Sequence, residues 1–247
     1  MIKLHTGPMF SGKTYRLLKE LRDLEEKGNS IVLLKPSIDS RGKREVVKSR
    51  VGLERPCWVI DESKIDVDTL ISKCKRYDVI GIDEVQFFSL DFIKVLTSVL
   101  NRKGKKIIIS GLDMDRFAEP FGETIPYIIS VAEEVIKYKA ICNDCGKKKV
   151  ATTEYMDTIT NELICIGDTE YIALCNDCRE KRLKKTIAEN SLYDLYESGY
   201  LKYVLHENKL CEITLLGKSN VICSYGQRLK GSIPVSYTHL RAHETLA

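Results

Sequence analysis

The chain has 247 residues, 43% hydrophobic and 30% charged, which describes a folded globular protein of one ordinary domain plus a small appendage and excludes a disordered one. Its net charge of +4 suits a binder of small anions and falls short of a nucleic-acid footprint. No apolar run is long enough to span a bilayer and no export signal opens the chain, while nine cysteines, an odd count, point to a reducing compartment rather than a disulfide framework.

Residues 2–6 form a short apolar strand, followed at once by G-P-M-F-S-G-K-T, from Gly7 through Pro8, Met9, Phe10, Ser11, Gly12 and Lys13 to Thr14. This is the G-x-x-x-x-G-K-S/T phosphate loop, whose backbone N–H groups point inward at a β-phosphate. Gly7 and Gly12 allow backbone angles and close approach that a Cβ would block. Lys13 supplies a mobile ammonium for the β/γ-phosphates, and the Thr14 hydroxyl a ligand for Mg²⁺. A helix from 15 to about 27 adds its positive end to the anion site. Residues 30–36 read as a buried strand ended by Pro36, and 38–53, polar and basic, as a long loop. A helix over 68–77, a strand over 78–83, a helix over 87–102 and a strand over 105–110 follow. Continuous apolar strands alternating with helices predict an α/β fold, a P-loop NTPase-type parallel sheet with helices on both faces.

The strand at 78–83 ends in the acidic pair that a phosphate loop requires. Asp83, at the strand's carboxyl end, would orient Mg²⁺ directly or through water; Glu84 would point into the same crevice and take a proton from the attacking group. Read in isolation, the pair would merely cap the next helix. Water as acceptor would make an NTPase, and a hydroxyl a kinase. The guanine-reading motif N-K-x-D is missing, and a helicase-like motor would need further motifs and a longer core.

Near residue 140 the pattern changes to turns, strands and two C-x-x-C knuckles: Cys142 with Cys145, and Cys175 with Cys178. Four thiolates at this spacing form an S₄ shell suited to Zn²⁺, with no position left open, so the metal is expected to be structural. The other cysteines (Cys57, Cys74, Cys165, Cys211, Cys223) read as small buried apolar residues. A zinc-stapled segment after a nucleotide-binding core predicts a lid that excludes water. The chain is expected to divide into a P-loop domain (1–140), a zinc-binding lid (141–190), an extension (191–234) and a non-native tail (235–247). Tyr193, Tyr196, Tyr200 and Tyr203 recur at helical spacing and predict a packed helix. The tail resembles translated adapter sequence, which removes His239 and His243 from the candidate site.

G-P-M-F-S-G-K-T, I-D-E-V-Q-F-F (82–88), the G-L-D…P-F-G segment (111–122) and the knuckles occur in that order and together resemble the thymidine kinase family of the zinc-containing, human-cytosolic and bacterial type. The resemblance covers roughly residues 1–180. It implies ATP-dependent phosphorylation of the 5′-hydroxyl of thymidine or deoxyuridine, with Glu84 as general base and Asp83 and Thr14 serving Mg²⁺. By matching position, Asp39, Ser40 and Arg41 form a D-x-R loop near the phosphates, where Arg41 would neutralise developing charge. Val85 and Gln86 fall beside the nucleotide. Met9, Leu112 and Phe121 would wall the base pocket. Thr152, the lid segment Leu163, Ile164, Cys165, Ile166 and Gly167, and the lid tyrosine Tyr171 would close it. Two departures stand out: Arg116 occupies the family's aromatic contact position with Phe117 one residue later, and the lid is one residue shorter. The family further implies a homotetramer, end-product inhibition by the triphosphate, a cytoplasmic location, and no nucleic-acid or membrane partner.

The competing expectation is a zinc-ribbon P-loop ATPase acting on nucleic acid through the lysines of 147–149 and 181–185; such clusters are usually solvated faces.

Overall fold

This computed structural model describes residues 1–39, 45–148, 150–156 and 171–186 in full, together with the backbone of 187–189, 203–206, 209–215, 221–223 and 228–229. In chain order the first elements are β1 (Ile2–Thr6), α1 (Lys13–Glu25), β2 (Ile31–Pro36), β3 (Val46–Lys48), β4 (Glu54–Pro56), β5 (Trp58–Ile60), α2 (Val67–Cys74) and β6 (Val79–Ile82). A 3₁₀ turn (Val85–Phe87) leads to α3 (Leu90–Arg102), β7 (Lys106–Gly111), α4 (Thr124–Val131) and β8 (Glu134–Lys137). Then come β9 (Thr153–Met156), β10 (Tyr171–Leu174), α5 (Asn176–Glu189), β11 (Tyr203–His206), β12 (Lys209–Leu215), β13 (Val221–Cys223) and β14 (Arg228–Leu229).

Six strands form one parallel sheet in the order β5-β2-β6-β7-β1-β8. Both faces are covered. On one side Leu17, Leu18 and Leu21 of α1 pack on Leu33, Val79 and Ile108. The alternate residues Ile80, Ile82, Ile107 and Ile109 point the other way and are equally buried, where α3 packs on β7 and α4 on β1. That two-sided burial is why these strands read as unbroken apolar runs. Going from β1 to β2 the chain steps over β7 and β6, so β1, β7 and β6 end side by side. Gly7, Leu112 and Asp83 therefore emerge on one edge, the crevice where open parallel sheets bind ligands.

The elements expected in residues 1–140 stand with boundaries shifted by a few residues, and there are two corrections. The stretch 38–53 is not wholly loop: β3 pairs antiparallel with β4, Val47 facing Arg55. Its V-V-K alternation was too short to register beside so many charges. The helix expected from residue 87 starts at Leu90, because Ser89 accepts the Phe92 N–H and caps α3, leaving 85–87 as a tight turn. The sequence pattern does not assign β5, α4, β8, α5 or β11 to β14.

The chain divides into two compact units, Met1–Met156 with Cys165–Cys178, and Asp157–Ile164 with Arg179–Ala247. In the second unit β11 to β14 form an antiparallel sheet in sequential order. Tyr203 opens a strand there rather than extending a helix. Tyr193, Tyr196, Tyr200 and the 235–247 tail lie outside the described residues. No helix among the described residues is long and apolar enough to cross a membrane.

Candidate active site

Residues 7–14, the expected phosphate loop, link β1 to the first turn of α1. Gly7 sits at φ 136°, and a Cβ there would lie 2.4 Å from the Tyr138 carbonyl oxygen, so only glycine fits between β1 and the chain leaving β8. Gly12, in the left-handed region, precedes α1. Lys13 is buried and donates to the Pro8 carbonyl at 2.8 Å, folding its ammonium over the loop. Burial lowers its pKa, against the pull of Glu84, Glu154, Asp113 and Asp83. Phe10 adopts φ 63°, and its exposed ring carries the Arg50 guanidinium 3.8 Å from the centroid.

Opposite the loop, the Asp83 N–H donates to Leu34 at 2.9 Å and carries the β6 line one residue further. Its Oδ1 accepts from the Thr14 hydroxyl at 3.4 Å. Two ligands in adjacent positions of an octahedral Mg²⁺ stand about 3.0 Å apart, so these oxygens fit one ion with a small closure. Glu84 takes φ 50° and ψ 45°, a left-handed conformation that costs a non-glycine residue about 1–3 kcal/mol and turns the chain sharply away from the strand. The buried Glu84 carboxylate accepts from the Gln86 side-chain amide at 2.6 Å, and the Gln86 carbonyl accepts from the Leu112 N–H at 3.1 Å. Gln86 needs the room beside Gly111, where a Cβ would come within 2.9 Å of its oxygen.

A cavity of about 220 Å³ joins these parts, lined by Met9, Phe10, Gly12, Lys13, Thr14, Asp39, Asp83, Glu84 and Leu112 together with residues 46–51. Asp39 lies 3.8 Å from the buried Lys35 ammonium. Ser40, Arg41 and the lid segment Leu163, Ile164, Cys165, Ile166 and Gly167 lie outside the described residues. Arg116, Phe117, Phe121, Thr152 and Tyr171 do not line this cavity. Phe121 packs edge-on against Phe87 at 5.8 Å, and the Arg116 guanidinium stacks 4.5 Å from the Phe117 centroid. Tyr171 pairs with Met156 and so shares a face of the β9–β10 hairpin with Glu154. A larger cleft of about 490 Å³, beside α1 and β4, contains none of the candidate residues.

The four knuckle cysteines converge, their sulfurs all within 4.8 Å of one another and Cys145 and Cys175 4.0 Å apart. Sulfurs around a tetrahedral Zn²⁺ stand about 3.8 Å apart, given Zn–S near 2.3 Å, so the quartet needs little adjustment to hold that ion. Burial opposes ionisation of Cys142, but N–H groups of Cys145, Cys175 and Asp144 outweigh it and draw its pKa down to about 6, as a metal-binding thiolate requires. Cys57 and Cys74 are buried and unpaired, as small apolar residues.

Sequence reasoning missed the buried acids. Asp113 is ion-paired with Lys137 at 2.6 Å, and Glu154 accepts the Met9 N–H at 2.8 Å across 145 residues of chain. Nothing in T-T-E-Y-M marks Glu154 as anything but a polar position on a strand. Burial raises its pKa to about 7, against the ammonium of Lys13 and the Met9 N–H. A carboxyl raised above its unfolded value favours folding below about pH 4.5 and loses that contribution as pH rises through 7. The thermal midpoint is thus expected to fall between pH 5 and 8, an effect on the order of 3 kcal/mol. Glu154→Gln should flatten that profile; a variant curve as steep as the wild type would refute this assignment.

A family model described as thymidine kinase matches residues 1–179. The thymidine kinase of Mycoplasma genitalium is 43% identical over 165 residues, covering 66% of this chain and 75% of that protein. That of Metamycoplasma arthritidis is 36% identical over 168 residues, 68% of this chain and 84% of that protein. Among solved structures, AMPPCP-bound DnaA from Aquifex aeolicus aligns with TM-score 0.38 and 12% identity over 56% of this chain and 40% of that one.

Proposed function

The chain belongs to the thymidine kinase family, and from that premise we propose that it transfers the γ-phosphoryl group of ATP to the 5′-hydroxyl of thymidine and deoxyuridine, with Glu84 as general base. The observation that carries this is the Glu84 carboxylate, fixed by Gln86 and opening on the same cavity as Lys13 and Thr14. A base held by a side-chain amide, on a backbone turn the fold enforces, is preorganised for one proton transfer.

In the proposed reaction the phosphates lie on the N–H groups of residues 7–14, with Lys13 released from Pro8 to meet them. Thr14 and Asp83 would hold Mg²⁺, which supplies charge neutralisation on the phosphate oxygens. Glu84 takes the 5′-hydroxyl proton as that oxygen bonds to the γ-phosphorus and the bond to the ADP oxygen breaks. Asp39 and, by family resemblance, Ser40 and Arg41 would meet the phosphates, with Val85 and Gln86 beside the nucleotide. Met9, Leu112, Arg116, Phe117 and Phe121 would surround the base. The zinc-bearing segment 141–190, with Thr152, 163–167 and Tyr171, would act as the lid over the P-loop domain 1–140. The proposal extends to a homotetramer, and to a cytoplasmic setting consistent with six unpaired cysteines among the described residues.

A panel of nucleosides with Mg-ATP and product analysis tests this. Thymidine and deoxyuridine should yield 5′-monophosphates, and purine nucleosides none. ATP hydrolysis stimulated by DNA, without a nucleoside product, would overturn it.

A further inference from the structure

The carboxylate of Glu154 sits on the strand pair that the cysteine knuckles close, yet its hydrogen bond goes to the loop of residues 7–14. Met9 follows Pro8, which has no N–H, so the Met9 N–H is the loop's first amide donor after Gly7. That N–H is committed to Glu154 Oε1 at 2.8 Å. Directly across the β9–β10 ladder, Glu154 faces Ala173. Ala173 is gripped from the other side by the first cysteine knuckle: the Asn143 N–H donates to the Ala173 carbonyl at 2.9 Å, and the Ala173 N–H donates to Asn143 Oδ1 at 3.0 Å. The second knuckle joins the same hairpin end. The Cys175 N–H donates to Cys142 Sγ at 3.4 Å, while Thr152 N and Thr153 Oγ1 both donate to Leu174 O at 3.1 Å. Hydrogen bonds thus run from the cysteine quartet through Asn143 to Ala173, which stands opposite Glu154 as a non-hydrogen-bonded ladder pair, and from the Glu154 carboxylate to Met9.

We propose that Glu154 is a positioning residue that couples the cysteine quartet to the phosphate loop, so that the metal-bound hairpin sets the loop's nucleotide-binding geometry. Glutamate has the length to reach the Met9 N–H while its Cα stays in register with Ala173. A role confined to satisfying one buried donor would predict lost stability alone; coupling predicts that the two sites influence each other reciprocally. The inference rests on the reading of residues 7–14 as the ATP phosphate site.

The test is ATP affinity, measured by direct titration of the full chain with zinc bound and after chelation, for wild type, Glu154→Gln and Glu154→Ala. Chelation should weaken ATP about tenfold in the wild type. Glu154→Ala, zinc content intact, should weaken ATP about tenfold, and chelation should then add less than about twofold, the non-additivity expected of one shared link. Glu154→Gln keeps an acceptor for Met9 and should retain both the wild-type affinity and the zinc effect. If Glu154→Ala does not fold, Asn143→Ala, which leaves all four cysteines in place, should show the same weakened, zinc-indifferent binding. Independent losses that multiply, or wild-type affinity unmoved by chelation, would overturn the coupling. Thymidine turnover assayed in parallel separates the two claims: wild type that binds ATP in a zinc-coupled way but forms no thymidine monophosphate would sink the kinase assignment alone.

Discussion

Glu84→Gln is expected to lower kcat for thymidine by a factor of about 10²–10⁴ while leaving ATP affinity within a few fold, because a positioned general base contributes on that scale. The substitution isolates the proton transfer. Glutamine can still accept from the Gln86 amide, the bond now 2.6 Å long. It also keeps the same side-chain length on the same left-handed backbone turn. What disappears is the ability to take a proton and one negative charge near Lys13, whose ammonium Glu84 helps to hold. The discriminating measurement is steady-state kinetics in both substrates together with direct ATP binding. A fall in kcat with unchanged ATP affinity supports Glu84 as the base. Normal turnover would remove it from that role, and a loss of ATP binding alone would make it part of the phosphate site.

Removing the metal from the cysteine quartet, by chelation or by Cys175→Ser, is expected to abolish the ordered hairpin and lower the thermal midpoint sharply. Structural zinc contributes about 10–16 kcal/mol of apparent binding energy in small zinc-dependent folds, far more than two short strands supply by themselves. Strands β9 and β10 have four residues each. Their shared end is secured by the knuckles, since Cys142 accepts from Cys175 and Asn143 holds Ala173. Metal content by elemental analysis and unfolding with and without chelator check this. A midpoint indifferent to chelator would show that the quartet does not hold a structural ion. The catalytic cost should follow the structural one, because the hairpin carries Tyr171 on the same face as Glu154.

Both predictions start from features legible in the sequence for a physical reason. A phosphate loop needs particular backbone freedom, so glycine must appear at fixed offsets. A metal shell needs sulfur in pairs at turn spacing. A strand buried on both faces must be continuously apolar, and the acids of a crevice must follow such a strand. Residues 7–14, Asp83, Glu84 and the four cysteines are all local patterns of this kind, and together with the strand–helix alternation they dictated the parallel sheet.

Tertiary structure decided what no local pattern records. The order β6-β7-β1 brings Asp83 to Thr14, across 69 residues of chain. Gln86, bonded locally to Glu84, also becomes the partner of Leu112 because β6 and β7 are neighbours and Gly111 leaves the space. The short hairpin of β3 and β4, too brief and too charged to announce itself, supplies Arg50 to the ring of Phe10. Glu154 is the sharpest case. In sequence it is one more polar residue of a strand, and folding alone buries it on the Met9 N–H, within the field of the Lys13 ammonium. Spacing along a chain encodes conformation and ligand geometry, whereas desolvation and long-range hydrogen bonds depend on which distant segments the packed core brings together.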